Sequence, residues 1–165
     1  MNKLENEAFF TLVENELAEG KRVRFCSKGH SMFPLLRSGR DEVILEKCLV
    51  NQLQPMDVVL FRYRGTHILH RIIRREGDRL TIQGDGVISS CEQCSVNEVI
   101  GKVVQIHRSS GEILSVNSWK WTLPSYLWLR SGWVRTYLLK MAYWMSRRIL
   151  KEKQPPTAFA STARD

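Results

Sequence analysis

Ser31 stands in the stretch Gly29-His30-Ser31-Met32-Phe33-Pro34, well upstream of the pair His70-Arg71 and of Gly84-Asp85-Gly86. A serine hydroxyl is a weak nucleophile until a base takes its proton, so chemistry at Ser31 requires a partner from elsewhere in the chain. His70 is the candidate base, because a neutral imidazole accepts a proton near neutral pH. Asp85 is the candidate third member, either orienting His70 or ordering the site. It also has a purely structural reading, since Asp-Gly is a favoured hairpin turn in which glycine supplies positive φ. The chemistry that Ser31 and His70 would perform is acyl transfer, with the Ser31 backbone N–H available to a developing oxyanion.

The remaining polar candidates have simpler explanations. His67 precedes His70 by an odd number of positions, and side chains alternate along a strand, so the two point to opposite faces and cannot both serve Ser31. His67 therefore reads as a solvent-facing strand residue, and His30 and His107 as surface residues. Arg71 is expected to support the strand or a carboxylate, and Asp57 to hold a turn after Met56. Met32 and Phe33 either shape a substrate pocket or belong to the core. The four cysteines, Cys26, Cys48, Cys91 and Cys94, include one Cys91-Glu92-Gln93-Cys94 pair without the second pair of a zinc ribbon. They read as reduced thiols, and neither a metal nor a cofactor is called for.

Three regions would position these groups. The apolar residues Leu4, Phe10, Val13 and Leu17, with Phe9 and Leu12 beside them, recur at helical spacing and stop at Gly20. They predict an amphipathic helix within residues 1–22. Residues 23–118 break into short runs rich in branched and aromatic residues: Arg22 to Phe25, Glu42 to Leu45, Val58 to Phe61, His67 to Ile73, Leu80 to Ile82, Val99 to Ile106 and Glu112 to Leu114. Turn signals at Arg64-Gly65-Thr66, Glu76-Gly77-Asp78 and Ser109-Ser110-Gly111 separate several of them. The pattern predicts a mainly β fold with an antiparallel, barrel-like core, and the chain length suits one such core. Residues 119–153 hold all five tryptophans and predict two helices, broken near Ser131-Gly132. Residues 154–165 show no periodicity and are expected to form a disordered tail.

Ser-Met-x-Pro at Ser31, the strand Val58-Val59-Leu60-Phe61, the His70-Arg71 pair, the Gly84-Asp85-Gly86 turn and Val99 to Val103 occur in an order that resembles the signal peptidase and LexA-type serine peptidases. The similarity spans roughly residues 23 to 105. Bacterial signal peptidases and self-cleaving repressors carry Lys where this chain has His70. A histidine there is similar to the branch found in the endoplasmic reticulum, in archaea and in some Gram-positive bacteria. The resemblance implies a Ser31/His70 peptidase assisted by Asp85, acting on an extended peptide or protein segment with small side chains beside the scissile bond. It also marks departures. Gly29 stands where membrane-bound members place a second oxyanion-stabilising serine. Gly86 stands where the reticulum-type turn has Asn with a further acid nearby, and the acids that follow in this chain are Glu92 and Glu98.

Charge is concentrated at one end. Residues 119–153 carry eight Lys and Arg against Glu152 alone, while the first 118 residues are nearly neutral. On a helical wheel Leu127, Val134, Leu138, Met145 and Ile149 form one stripe, and Trp133, Lys140, Trp144, Arg147 and Lys151 another. Interfacial tryptophans with basic neighbours suit an anionic membrane surface; the competing reading packs the aliphatic stripe on the β core. No secretory signal is visible, and no charge-free apolar run reaches the ~18 residues that span a bilayer. These features predict a cytoplasmic protein attached peripherally to the inner membrane face, and a segment that can be removed after Val116 without loss of the Ser31 chemistry. Two other function classes stand beside the peptidase: an inactive module on the peptidase fold, and a nucleic-acid-binding protein using the basic segment, the less favoured of the partners. Repression by a LexA-like mechanism is disfavoured, because too little chain precedes the core for a helix-turn-helix.

Overall fold

A computed structural model describes residues 3–152. Residues 154–165, expected as a tail, lie outside the described residues. The element order is α1 (Lys3–Ala18), β1 (Val23–Cys26), β2 (Glu42–Glu46), β3 (Val58–Tyr63), β4 (Thr66–Glu76), β5 (Arg79–Gln83), β6 (Glu92–Ser95), β7 (Val99–His107), β8 (Ile113–Ser115), α2 (Trp119–Arg130) and α3 (Gly132–Glu152). Every strand pairing is antiparallel. The strand order is β1-β2-β7-β3-β4-β5-β6, with β8 on β7. The sheet is not closed: β1 and β6 end its main path and β8 pairs only with β7, so the expected barrel-like core is an open antiparallel sheet.

Local sequence explains the hairpins. Arg64 and Gly65 have φ of 49° and 74°, so the loop between β3 and β4 has positive φ at both central residues, as a type I′ turn requires. β6 is the one strand without a sequence signal. Its Glu92-Gln93-Cys94-Ser95 is largely polar because it pairs only with β5 and forms an outer edge, where charge discourages further pairing.

The strands divide their side chains between two apolar clusters. One gathers Val13 and Leu17 of α1, Met32, Leu36, Leu45, Val58, Leu60, Ile106 and Trp121. The other gathers Leu53, Val59, Phe61, Ile72, Leu80, Ile82 and Val96. Met32 thus belongs to the core at 2 % exposure, whereas Phe33 is 38 % exposed. α1 stops where expected: Gly20 adopts φ +80° and its N–H caps the Leu17 carbonyl at 3.0 Å. The exposed Leu12 departs from the predicted apolar face.

α1 also changes the reading of His67. The alternation argument holds, but the face it assigns to His67 is covered by α1 and not by solvent. The ring stacks on Phe10 at 4.5 Å, and Nε2 lies 2.8 Å from Glu14 Oε1. Glu14 also pairs with Arg62, whose hydrogen bond, helped by His67, holds the Glu14 carboxyl below its ordinary value.

The segment carrying Ser31, between β1 and β2, has no regular structure and is closed by one carboxylate. Asp41 is fully buried and accepts from Arg37 N–H at 2.9 Å, from Arg37 Nη2 at 3.0 Å and from Arg108 Nη1 at 2.5 Å. Its backbone N–H bonds the Arg37 carbonyl, and its own carbonyl accepts from Ser27 N–H. Burial pushes the Asp41 carboxyl up, but the Arg37 and Arg108 hydrogen bonds outweigh it and leave it below the ordinary value.

The C-terminal segment is not separable as expected. Trp121 is buried in the first cluster, so cutting after Val116 would remove a core residue. Among the described residues no helix is long and apolar enough to cross a membrane.

Asp41→Ala is expected to destabilise the fold by roughly 3 kcal/mol, because it strands the half-buried Arg108 and opens the Ser31 segment. A carboxyl depressed in the folded state stabilises above its unfolded value and loses that contribution as pH falls through the folded one. Wild-type stability, measured by urea denaturation, is therefore expected to drop below about pH 4, and that part of the drop to be missing in Asp41→Asn.

Candidate active site

β4 delivers His70 and Arg71 at consecutive positions and hence to opposite faces of the sheet. His70 is 5 % exposed and its ring centre lies 6.4 Å from that of Phe61. Its Nδ1 lies 3.1 Å from Glu92 Oε2, itself mostly buried. A carboxylate oxygen accepts, so in the neutral imidazole this bond favours the proton on Nδ1 and Nε2 as the acceptor. Glu92 reaches His70 because β5 ends at Gln83, opposite Arg71, and the next residue is Gly84.

Arg71, on the other face, takes Asp85. Arg71 Nε donates to Oδ1 and Nη2 to Oδ2, both at 2.8 Å, and neither residue is exposed at all. Arg71 Nη1 also donates to the Met56 carbonyl at 2.8 Å, and its guanidinium lies 5.3 Å from the Trp121 ring centre. Met56 adopts φ 82°, a conformation that favours glycine, before Asp57 ties the turn through Gln54 N–H and Lys102. The expected support of a carboxylate by Arg71 and the turn role of Asp57 are both visible. Of the two roles considered for Asp85, the contacts match the ordering one: Arg71 holds both Asp85 oxygens, and the carboxylate at His70 Nδ1 is that of Glu92.

What Asp85 orders is the approach of its two glycines to Ser31. A Cβ on Gly84 would meet the Ser31 carbonyl oxygen at 2.4 Å and His70 Nε2 at 2.9 Å. A Cβ on Gly86 would meet the His30 carbonyl oxygen at 2.5 Å, and the Gly86 N–H donates to the Ser31 carbonyl at 2.7 Å. Neither glycine has the positive φ of a hairpin turn. They are needed because backbone meets backbone there. The Ser31 backbone and the Nε2 of His70 thereby both lie against Gly84. Among the described residues no hydrogen bond joins the Ser31 hydroxyl to His70; such bonds often tighten only when substrate is present.

The C-terminal helices complete this turn, which the sequence did not signal. Trp128 Nε1 donates to the Asp85 carbonyl at 2.8 Å. Arg135 Nη2 donates to the Gly84 carbonyl at 3.0 Å and to the Val87 carbonyl at 2.7 Å. Burial lowers the Arg135 guanidinium from its ordinary value, offset in part by Asp85.

A cleft runs along β1 and β4, on the side of β4 that carries His67 and Leu69. β1 pairs on one side only, with β2, and residues 66–70 of β4 pair only with β3, because the β5 register begins at Arg71. A cavity of about 590 Å³ touches both strands and is lined by Phe9, Phe10, Phe25, Lys28, Leu60 and Leu69, among others. All four cysteines are free thiols; Cys26 lines this cavity, and burial pushes Cys94 up to about 12. Among the described residues no group of three or more His, Cys, Asp and Glu could hold a metal ion. No known family model matches the chain, and no curated protein is detectably similar to it in sequence.

Two substitutions separate positioning from bulk structure. Gly84→Ala is expected to drive Ser31 and His70 apart and to abolish any Ser31-dependent turnover while the protein stays folded, checked by kinetics and circular dichroism. Glu92→Gln keeps the volume but removes the carboxylate, and is expected to lower kcat on the order of 10²- to 10⁴-fold with little change in KM.

Proposed function

We propose that this protein is a serine endopeptidase with Ser31 as nucleophile, His70 as general base and Glu92 as the residue that orients the base. The observation that carries the reading is the histidine's two-sided environment: Nδ1 is held by Glu92, while Nε2 faces the point where Gly84 touches the Ser31 backbone. That is the division of labour a serine mechanism asks of its histidine. The resemblance of the Ser31, His70 and Gly84-Asp85-Gly86 motifs to signal peptidase and LexA-type enzymes supports the same reading.

In the mechanism, the Ser31 hydroxyl attacks the scissile carbonyl carbon as His70 Nε2 takes its proton. The Ser31 N–H would donate to the oxyanion. The C–N bond then breaks, His70 returns the proton to the leaving amine, and an acyl-Ser31 ester remains. Water attacks that ester by the same route, giving up its proton to His70 and regenerating the serine. An extended peptide would lie along the free edges of β1 and β4, using their unpaired backbone groups and seating side chains in the cavity between them.

Ser31→Ala and His70→Ala are each expected to lower peptide cleavage by about 10⁴-fold or more, and Ser31→Ala to abolish covalent labelling by a fluorophosphonate probe. Equal labelling of wild type and Ser31→Ala would remove the nucleophile and with it the proposal.

Only neutral imidazole can accept the Ser31 proton. The rate kcat/KM is therefore expected to rise with pH through one ionisation of the histidine and then to level off. A rate that climbs steadily through the alkaline range, with no such inflection, would point to a different base.

A further inference from the structure

α3 has an inward and an outward side. Arg135 and Leu139 lie on the inward side, the first bonded to the Gly84–Val87 turn and the second 8 % exposed. Of the aliphatic stripe that could have packed on the β core, Leu127, Val134 and Leu138 are 58, 43 and 39 % exposed, and Met141 beside them is 40 % exposed. Next to it on the same outward side stand Trp133 at 86 %, Tyr137 at 67 % and Trp144 at 52 %. Aromatic and aliphatic stripes thus form one broad apolar surface, with Lys140 on it, in a segment that carries eight Lys and Arg against one acid.

We propose that this outward face of α3, continued by α2, docks in the plane of an anionic lipid bilayer. Charge selects the occupant. A second copy of the chain would bring its own cations against these, so self-association is opposed, whereas anionic headgroups are complementary to them. The aliphatic residues select further. Single-stranded nucleic acid uses aromatic rings and cations, but has no use for exposed Val134, Leu138 and Met141, which suit the boundary between headgroups and acyl chains. Trp133 and Tyr137 are the residue types that favour that boundary. The absence of a spanning helix among the described residues fits a segment that lies on the bilayer without crossing it.

The consequence for the chemistry rests on the peptidase reading. Trp128 and Arg135 tie the docked helices to the carbonyls of Gly84, Asp85 and Val87, so the turn beside Ser31 and His70 is held at the lipid surface. The substrate class that fits is a peptide segment emerging from, or attached to, a membrane.

The test uses the full chain and vesicles of phosphatidylcholine containing roughly one-third phosphatidylglycerol, compared with phosphatidylcholine alone. Wild type is expected to sediment with the anionic vesicles at low salt, to be released by high salt, and to shift its tryptophan emission to the blue. Trp133→Ser with Tyr137→Ser is expected to weaken partitioning by at least about tenfold, and Lys140→Glu to weaken it further, with circular dichroism unchanged. Vesicles are expected to accelerate cleavage of a lipid-anchored peptide over its soluble form in wild type but not in the double variant. Protein that stays in the supernatant at low salt, that dimerises through this face, or that binds a thymidine oligonucleotide in preference to the vesicles would overturn the proposal. Ser31→Ala carries the surface unchanged, so its binding to vesicles tests the docking even if the peptidase reading fails.

Discussion

The buried ion pair between Arg71 and Asp85 is the constraint on which the remaining architecture of the site depends. Two fully desolvated charges are tolerable only when their hydrogen bonds are satisfied, and here the guanidinium meets both carboxylate oxygens and a backbone carbonyl. Removing either partner would leave an uncompensated charge in the core, so the turn bearing Asp85 has no freedom to drift from β4. Because Gly84 and Gly86 flank Asp85, the pair presses their backbones onto that of Ser31. An interaction on one face of β4 thus sets the geometry on the other, where His70 sits.

A second Arg–Asp pair holds the other side. Asp41 gathers Arg37 and Arg108 and closes the segment that bears Ser31. Trp121 connects the two, since its ring lies 5.3 Å from the Arg71 guanidinium and 5.9 Å from that of Arg108. Cations over an indole face gain electrostatic attraction as well as packing. The residue that joins both pairs comes from α2, which explains why the C-terminal helices belong to the folded unit although their composition differs so much from the rest of the chain.

Two strands with unequal neighbours then leave free edges along one cavity. β4 is longer than β5, so its first half keeps a free edge near His70, and β1 ends the sheet. Free edges are normally a liability in a β protein. Here they border a cavity that the aromatic residues Phe9 and Phe10 of α1 line from the other side. The same helix buries His67 against Phe10 and Glu14, which removes the second β4 histidine from consideration as a base.

Period and turn chemistry are local properties, and they were enough to read α1, seven of the eight strands and the break before α3 from the residues alone. Val58 to Phe61 and Val99 to Ile106 announce buried strands by their branched side chains, and Arg64-Gly65 announces its turn by the φ that it demands. β6 was illegible because an edge strand made of Glu92-Gln93-Cys94-Ser95 is held by backbone bonds to β5, which no side-chain pattern records. The types and order of Ser31, His70 and Asp85 likewise marked a region. Alternation along β4 was legible as well, and it placed His67 and His70 on different faces. Which acid meets which cation was not legible, because it depends on where β5 stops and how closely Gly84 lets the Ser31 segment approach. Spacing in the chain cannot distinguish Asp85 from Glu92 as the partner of His70; only the packing of Arg71 against Asp85 decides it. The same holds for the basic helices. Their sequence specified two amphipathic stripes, but burial of Arg135 and Leu139 decided that the described residues of both stripes face outward.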